Sequence, residues 1–133
     1  CVIGQEYTFD VFVDFDGELL SIVPRKRLAV RSGEILKGQI DMNAELIKQV
    51  ENVVRALKPM GHITIQGICS GVKIYYIEIN PRFGGGAPMS IMAGADSCEW
   101  LYKGLLGEKI DKDSIKVQDK ALYARFDGSI KIS

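Results

Sequence analysis

Two polar side chains with metal-ligand chemistry lie two positions apart in the run YYIEINPRFGGGAPMS, residues 75–90. Successive side chains of a strand alternate between its faces, so Glu78 and Asn80 should share one face, about 7 Å apart. The same alternation predicts that Ile77 and Ile79 point into the core. The sequence thus places a carboxylate and an amide oxygen together at the end of a predicted strand.

A third polar side chain, Gln66, is predicted to lie across a hairpin from Glu78. Two strands are predicted in HITIQGIC and VKIYYIEIN, joined at the turn sequence CSGV. A turn centred on Ser70 and Gly71 puts Gln66 beside Glu78 or diagonally across from it. One carboxylate and two amide oxygens form an all-oxygen set of the kind that Mg²⁺ prefers. The alternative is that Gln66, Glu78 and Asn80 face solvent on an exposed sheet.

The residues after Asn80 favour the ligand interpretation over a solvated strand end. Pro81 fixes the direction in which the chain leaves the strand, and the glycines that follow allow close approach of the backbone. Arg82 places a cation just beyond the predicted ligands, which suits an anionic substrate or a transferring phosphoryl group. The pattern therefore indicates a site for phosphate or carboxylate chemistry.

The rest of the chain supplies the elements that must position these side chains. Polar and apolar residues alternate in EYTFDVFVDF, and the turn sequence DFDGE joins this strand to LLSIV as a hairpin. A helix is predicted in DMNAELIKQVENVVRALKPMG, with Asp41 or Asn43 as its cap and Pro59 and Gly61 at its end. One or two short helices are predicted in PMSIMAGADSCEWLYKGLLG, with Pro88 in a first turn.

Two further segments complete the predicted fold. An extended segment running into a loop is predicted for PRKRLAVRSGEILKG, and a final short hairpin for DKALYARFDGSIKIS. Two hairpins on either side of one helix, with further helices behind them, predict an α+β fold. Its centre would be an antiparallel sheet packed against helices.

Several charged residues outside the motif have a structural interpretation beside a functional one. Asp10 is interpreted as a carboxylate on a sheet face, and His62 as a structural or solvated residue. The basic residues 25–27 are interpreted as a solvated edge. The alternative is that the two arginines of this cluster, which share a parity with Arg31, face a nucleotide or an acid together with it.

Composition predicts one globular domain without a general nucleic-acid or membrane surface. The chain has 133 residues, of which 47% are hydrophobic and 26% are charged, as in ordinary soluble domains. Its 17 basic and 17 acidic residues cancel, so attraction to nucleic acid or to anionic lipid is not indicated. The 3 widely spaced cysteines indicate reduced thiols and a cytoplasmic protein. No apolar run reaches the roughly 18 residues of a membrane helix.

The combined motifs resemble the ATP-grasp superfamily over roughly residues 2–95. YYIEINPRFGGGAP is similar to the closing motif in which a glutamate and an asparagine hold the magnesium ions of ATP. GQEYTFDVF resembles the strand after the adenine hinge, and LAVRSGE resembles the loop that reaches the phosphates. The glutamine of TIQG is similar to the large-chain ATP-grasp domains of carbamoyl-phosphate synthase. Those domains follow NPR with a serine-arginine-serine run, whereas this chain has FGGGAP.

The resemblance implies roles for individual residues. Glu78 would bridge two Mg²⁺ (or Mn²⁺) ions of ATP, with Gln66 on one ion and Asn80 on the other. Arg82 would stabilise charge on the transferring group or on the acid. The remaining implied nucleotide contacts are the ribose ligand Glu6, the phosphate ligand Arg31 and a contact at Val2.

The resemblance also implies an activity. The enzyme would be an ATP-dependent ligase that activates a small carboxylic acid as an acylphosphate, which an amine or another nucleophile captures. Residues 1–133 would be the C-terminal subdomain of an ATP-grasp domain whose upstream half grips ATP from the other side, and would be inactive alone. The alternative is a non-catalytic nucleotide-binding or assembly module that retains the fold.

Overall fold

The computed structural model of the protein describes residues 2–126. The elements of this part of the chain are β1 Gln5–Val13, β2 Leu19–Arg31, β3 Glu34–Ile40, α1 Ala44–Leu57, β4 Gly61–Ser70, β5 Lys73–Asn80, α2 Ala87–Met92, α3 Ser97–Leu105, a 3-10 turn Lys112–Ser114 and β6 Leu122–Ala124. The strands form one sheet in the order β5-β4-β1-β2-β3-β6, and every neighbouring pair is antiparallel. The predicted α+β class is confirmed.

Local turn and cap chemistry explains why the first elements form where the sequence predicts them. In the β1–β2 turn, Oδ1 of Asp14 accepts hydrogen bonds from the backbone N–H groups of Asp16 and Glu18, at 3.0 and 2.7 Å. Gly17 follows with a φ of 83°, which a residue with a Cβ rarely adopts. Of the two predicted caps for α1, Asn43 is the one that accepts backbone hydrogen bonds from the first turn.

The two faces of the sheet have different coverings. Helix α1 packs on one face, where its buried residues are Leu46, Val50 and Val54. These side chains join an apolar core that includes Phe9, Val11, Ile63 and Ile65. Helices α2 and α3 lie against the opposite face, where Phe12 and Trp100 meet edge to face with ring centroids 5.7 Å apart. The predicted short helices are confirmed, with Pro88 in the first turn of α2.

The basic segment PRKRLAVRSGEILKG is predicted as an extended segment running into a loop. In the structure it forms the end of β2, a tight turn and most of β3. Strand β2 continues to Arg31, and the chain reverses at Ser32 and Gly33, whose φ values are 51° and 81°. Arg25 and Arg27 are 1% and 9% exposed, so the interpretation as a solvated edge is wrong for these two residues. The physical reason is that β2 is an interior strand, paired with β1 and β3, and both arginines find carboxylate partners.

A bulge changes the faces that alternation predicts for β5. The pairing register shifts directly after Gln66, which pairs with Glu78, so that Ile77 is an extra residue on β5. Ile77 and Ile79 are 57% and 39% exposed, and the prediction that both point into the core is wrong. Strand β5 lies at the edge of the sheet, where neither of its faces is fully covered.

The last described strand, β6, forms the edge of the sheet opposite β5. Strand β6 pairs with Lys37–Gln39 of β3. The predicted final hairpin extends into residues 127–133, which lie outside the described residues.

Asp41 links this C-terminal segment to the sheet. Its Oδ2 accepts a 2.6 Å hydrogen bond from the Tyr7 hydroxyl and lies 3.1 Å from Nζ of Lys26, while Lys120 pairs with Oδ1. Burial alone would raise the pKa of Asp41, but hydrogen bonds from Lys120, Tyr7 and Lys26 lower it to about 2. The cluster therefore holds a buried carboxylate in its charged form.

Cys69 and Cys98 are free thiols, and Cys1 lies outside the described residues. Burial raises the pKa of Cys69 to about 11.

Within residues 2–126, no helix combines the length and the apolar character that a membrane span requires.

Candidate functional site

A cleft of about 190 Å³ lies on the sheet face opposite α1. It brings together four residues that the sequence singles out for metal and phosphate chemistry: Gln66, Glu78, Asn80 and Arg82. A larger groove of about 720 Å³, between the β1–β2 turn and the end of α1, is lined by none of the predicted site residues. Ligand chemistry, and not volume, therefore identifies the smaller cleft as the candidate site.

The predicted ligands occupy one face of the β4–β5 hairpin. Gln66 and Glu78 are a direct cross-strand pair, and Asn80 is opposite Thr64. Nδ2 of Asn80 donates a 3.0 Å hydrogen bond to Oε1 of Glu78, a contact that leaves Asn80 Oδ1 and Glu78 Oε2 as acceptors. The oxygens of this set match the preference of Mg²⁺.

The fit to a metal depends on amide oxygens. Within residues 2–126, no group of three or more His, Cys, Asp or Glu side chains has a metal-binding arrangement. Glu78 supplies a single negative charge beside the neutral amides of Gln66 and Asn80. Such a set suits divalent ions that also bind the oxygens of phosphates.

The three glycines of NPRFGGG lie against protein side chains. A Cβ on the first would lie 3.1 Å from Oγ1 of Thr64, one on Gly85 would lie 2.2 Å from Oε2 of Glu34, and one on Gly86 would lie 2.2 Å from Nη1 of Arg25. The sequence predicts close backbone approach here. The structure identifies what is approached, namely three side chains that also line the cleft.

Arg82 is held through its backbone and its neighbour. Its carbonyl oxygen accepts a 2.9 Å hydrogen bond from Oγ1 of Thr64, and its N–H donates to the carbonyl oxygen of Asn80 at 2.8 Å. The ring of Phe83 stacks on His62 with centroids 4.1 Å apart and planes 18° apart. The backbone position of Arg82 is therefore fixed, while its side chain stays exposed at the cleft.

Asp10 lies on a face of the sheet, as the sequence predicts, but it is buried beneath this loop. Its Oδ2 accepts hydrogen bonds from Nη2 of Arg25 at 2.9 Å and from Oγ of Ser90 at 2.6 Å. Burial alone would raise the pKa of Asp10, but the Arg25 guanidinium, together with His62 and Ser90, holds it well below its usual range. The site thus rests on an ion pair that neither composition nor spacing singles out.

His62 is buried and not solvated. Its Nδ1 lies 3.0 Å from Oγ of Ser97 on α3, and its Nε2 lies 3.7 Å from Oδ1 of Asp10. With Phe83 stacked on its ring, His62 connects the glycine loop to α3.

The residues that the resemblance assigns to the ribose and phosphates lie farther apart than the predicted metal ligands, which share one cleft. Glu6 is not a lining residue of the cleft, although it lies two residues before the lining residue Thr8 on β1. Its Oε1 lies 2.8 Å from Nε of Arg27. Arg31 lines a separate pocket with Arg125. Val2 is exposed and is not a lining residue of the cleft.

The sequence interpretation did not predict that Arg25 and Arg27 are buried. Both line the cleft, and the available signal was their shared parity on one strand with Arg31. That signal separates the two faces of a strand. It does not tell which face is covered.

Comparisons with known proteins identify the fold. The sequence profile of a family described as ATP-grasp in the biosynthetic pathway with Ter operon matches residues 2–128. The chain belongs to this ATP-grasp family, and the family predicted from the motifs is confirmed. The resemblance to carbamoyl-phosphate synthase is to a related ATP-grasp family. A comparison with curated proteins finds no significant match.

Solved structures share the fold at low sequence identity. N5-carboxyaminoimidazole synthetase from Staphylococcus aureus, complexed with ADP, is 20% identical with a TM-score of 0.70, covering 90% of this chain and 34% of that one. The biotin carboxylase domain of a thermophilic 2-oxoglutarate carboxylase, bound to bicarbonate, is 19% identical with a TM-score of 0.71, covering 91% and 30%. Pyruvate carboxylase from Rhizobium etli is 18% identical with a TM-score of 0.71, covering 89% and 13%.

These comparisons show an ATP-grasp fold. The chain spans about a third or less of the length of these three solved chains.

Proposed function

We propose that this chain forms the metal- and phosphate-binding wall of an ATP-grasp ligase. The observation that carries the proposal is the shared face of the β4–β5 hairpin, on which Gln66, Glu78 and Asn80 line the cleft beside Arg82. The family match and the shared fold of the solved structures support the same class of enzyme.

The proposed reaction begins with attack by a carboxylate oxygen of a small acid on the γ-phosphorus of ATP. A bond forms between that oxygen and phosphorus, the bond from the γ-phosphorus to the β–γ bridging oxygen breaks, and ADP leaves. An amine or another nucleophile then attacks the acyl carbon of the acylphosphate and releases phosphate, as in carbamoyl-phosphate synthase-like enzymes. Such phosphoryl transfer depends mainly on positioning and charge stabilisation by the protein.

Each proposed metal ligand has a role that matches its chemistry. Glu78 is the single carboxylate of the set and would bridge two Mg²⁺ or Mn²⁺ ions, with Gln66 on one and Asn80 on the other. Bound ions of this kind neutralise the charge of a triphosphate. Arg82, the proposed catalytic residue, would stabilise charge on the transferring phosphoryl group or on the acid.

The proposed nucleotide contacts extend from the metal ligands toward β1 and the β2–β3 turn. Glu6 would accept hydrogen bonds from the ribose hydroxyls, because its carboxylate is partly exposed and faces the same side of the sheet as Thr8. Arg31 is the proposed phosphate contact of the turn, and Val2 a further contact to the nucleotide.

We infer that the opposite wall of the nucleotide site comes from an upstream part of an ATP-grasp domain. In the cleft, Arg25 and Arg27 are already paired with Asp10 and Glu6, so a triphosphate needs further cations. The shares of 34% and 30% that this chain covers in two solved structures support the same division.

The test uses the full-length protein that contains this chain. Glu78→Gln removes the single carboxylate of the set, so Mg-ATP-dependent ADP release with a panel of small carboxylic acids and amines should fall roughly a hundredfold or more. Asn80→Asp keeps an oxygen ligand and should lower the rate less. Glu108→Gln changes an exposed carboxylate outside the cleft and serves as the matched control.

Two outcomes would change the proposal in different ways. A wild-type rate for Glu78→Gln at saturating magnesium would contradict the metal assignment. Binding of Mg-ATP by calorimetry, without ADP release for any acid and amine tested, would support the alternative of a non-catalytic nucleotide-binding or assembly module.

A further inference from the structure

One buried guanidinium connects two segments that carry proposed nucleotide contacts. The side chain of Arg27, on the interior strand β2, lines the cleft and is 6% exposed. Its Nε lies 2.8 Å from Oε1 of Glu6, and its Nη2 donates a 2.7 Å hydrogen bond to the carbonyl oxygen of Gly33. The same side chain therefore contacts the proposed ribose ligand and the turn between β2 and β3.

Both partners of Arg27 remain available to a ligand. The side chain of Glu6 is 39% exposed although Arg27 anchors it, so its carboxylate can still accept hydrogen bonds from outside the protein. Gly33 lines the cleft together with Ser32. A glutamate that is ordered before binding spares the ligand the entropy cost of ordering it.

These contacts, an ion pair to Glu6 and a hydrogen bond to Gly33, suit the planar guanidinium of an arginine. They use different nitrogens of one rigid plane, and the third nitrogen, Nη1, donates to Oγ1 of Thr8 at 3.4 Å. A lysine has one nitrogen at the end of a flexible chain and cannot span Glu6 and Gly33 in the same way. Replacement by lysine therefore tests the geometry separately from the charge.

We infer that Arg27 is a positioning residue that fixes the Glu6 carboxylate and the Ser32–Gly33 turn relative to one another. The ribose hydroxyls and the phosphates of one nucleotide are thereby recognised together. This inference rests on the proposed nucleotide site. It adds Arg27 as the residue that links the ribose ligand Glu6 to the turn proposed to contact the phosphates. Arg27 acts through Glu6 and Gly33 and not on the reacting atoms.

The experiment compares two nucleotides that differ in the ribose hydroxyls. Dissociation constants of Mg-ATP and Mg-2′,3′-dideoxy-ATP are measured by calorimetry on the full-length protein. The wild type should prefer ATP by about 10- to 100-fold, because hydrogen bonds to a charged acceptor discriminate by that order. In Arg27→Met and Arg27→Lys the preference should fall to about threefold or less, because the carboxylate of Glu6 is no longer held.

A second measurement reports the phosphate end of the site. Binding of inorganic tripolyphosphate with Mg²⁺ should weaken in Arg27→Met, because the Gly33 turn loses its hydrogen bond, and should be unchanged in Glu6→Gln. The effects of Arg27→Met and Glu6→Gln on Mg-ATP binding should be less than additive, since the two residues act through one contact. Arg55→Gln, which alters an exposed arginine paired with Glu51 on α1, is the control.

The outcomes separate this inference from the proposed function. No binding of Mg-ATP by the wild type would overturn the nucleotide site itself. Binding without a preference for ATP would overturn the ribose role of Glu6 and, with it, the inference. A preference that persists in both Arg27 variants would overturn the positioning role alone. If Arg27→Met does not fold, Arg27→Lys, which keeps the charge and the aliphatic stem, decides the matter.

Discussion

Asp10 and Asp41 are two buried carboxylates of one sheet with different surroundings. Asp10 is enclosed by Arg25, His62 and Ser90, which are all buried. Asp41 is paired instead with Lys26 and Lys120, whose side chains are 30% and 60% exposed. Both carboxylates have a lowered pKa, but the charge of the first cluster is balanced inside the protein and that of the second at its surface.

The two clusters also differ in how completely their polar atoms are used. Both oxygens of Asp41 are engaged, by Lys120 on one side and by Tyr7 and Lys26 on the other. Around Asp10, four atoms have no hydrogen-bond partner within the described part of the chain: Asp10 Oδ1, Arg25 Nε, Arg25 Nη1 and His62 Nε2. Each such buried group costs about 1–3 kcal/mol. The costly cluster lies under the glycine loop of the candidate site, and the satisfied one holds the C-terminal segment.

The largest effect should come from breaking the Asp10 cluster on one side. Arg25→Met leaves the Asp10 carboxylate buried without its cation, so the free energy of unfolding should fall by about 3–5 kcal/mol in urea denaturation. Arg55→Gln, at an exposed ion pair, should change it by about 0.5 kcal/mol or less.

The comparison sharpens when both charges of the buried pair are removed. Asp10→Leu combined with Arg25→Met should recover most of the lost stability, because an apolar pair of similar volume avoids the desolvation cost. A double variant that is as unstable as Arg25→Met would show that the ion pair is a net stabilising contact. The contrast with Asp41 would then not hold.

An intermediate effect is expected from the pH dependence of the Asp41 cluster. The pKa of Asp41 is about 2 in the folded protein, below the 3.8 that is usual for an aspartate, so its stabilisation is present above pH 4 and lost as pH falls toward 2. This contribution amounts to about 2 kcal/mol. Asp41→Asn should therefore lower the free energy of unfolding at pH 6 and flatten its decline between pH 4 and pH 2. An unchanged slope in this variant would contradict the lowered pKa.

The smallest effect is expected at the exposed member of the same cluster. Lys120→Met removes one partner of Asp41, but the Tyr7 hydroxyl and Lys26 remain. Its loss of stability should be smaller than that of Asp41→Asn and should disappear at high salt, because exposed charges are screened. Thermal unfolding at low and high salt measures both. A loss equal to that of Asp41→Asn would mean that Lys120 alone holds the carboxylate.

Local chemistry explains which parts of the fold could be predicted. The β1–β2 turn depends on Asp14 and Gly17, and the start of α1 depends on Asn43, all within a few residues of the elements they define. The shared face of Glu78 and Asn80 follows from the alternation of a strand. The ATP-grasp family followed from motifs that such local patterns place on strands and turns.

Burial was decided by strand order and by the glycine loop. Alternation puts Asp10 and Arg25 on defined faces of their strands. It does not tell that β2 is an interior strand or that Gly86 lies directly over the guanidinium of Arg25. The exposure of Ile77 has a similar origin, because its bulge and the edge position of β5 arise only when the strands pair.

The sequence by itself thus determined the β1–β2 and β4–β5 hairpins, the first helix and the placement of Gln66, Glu78 and Asn80 on one hairpin, because these depend on neighbours a few residues away. Only the tertiary structure decided that Asp10 is a buried ion-pair partner and that Arg27 joins Glu6 to Gly33. The burial of a charge depends on what covers it and on which partner meets it there. Both come from segments distant along the chain.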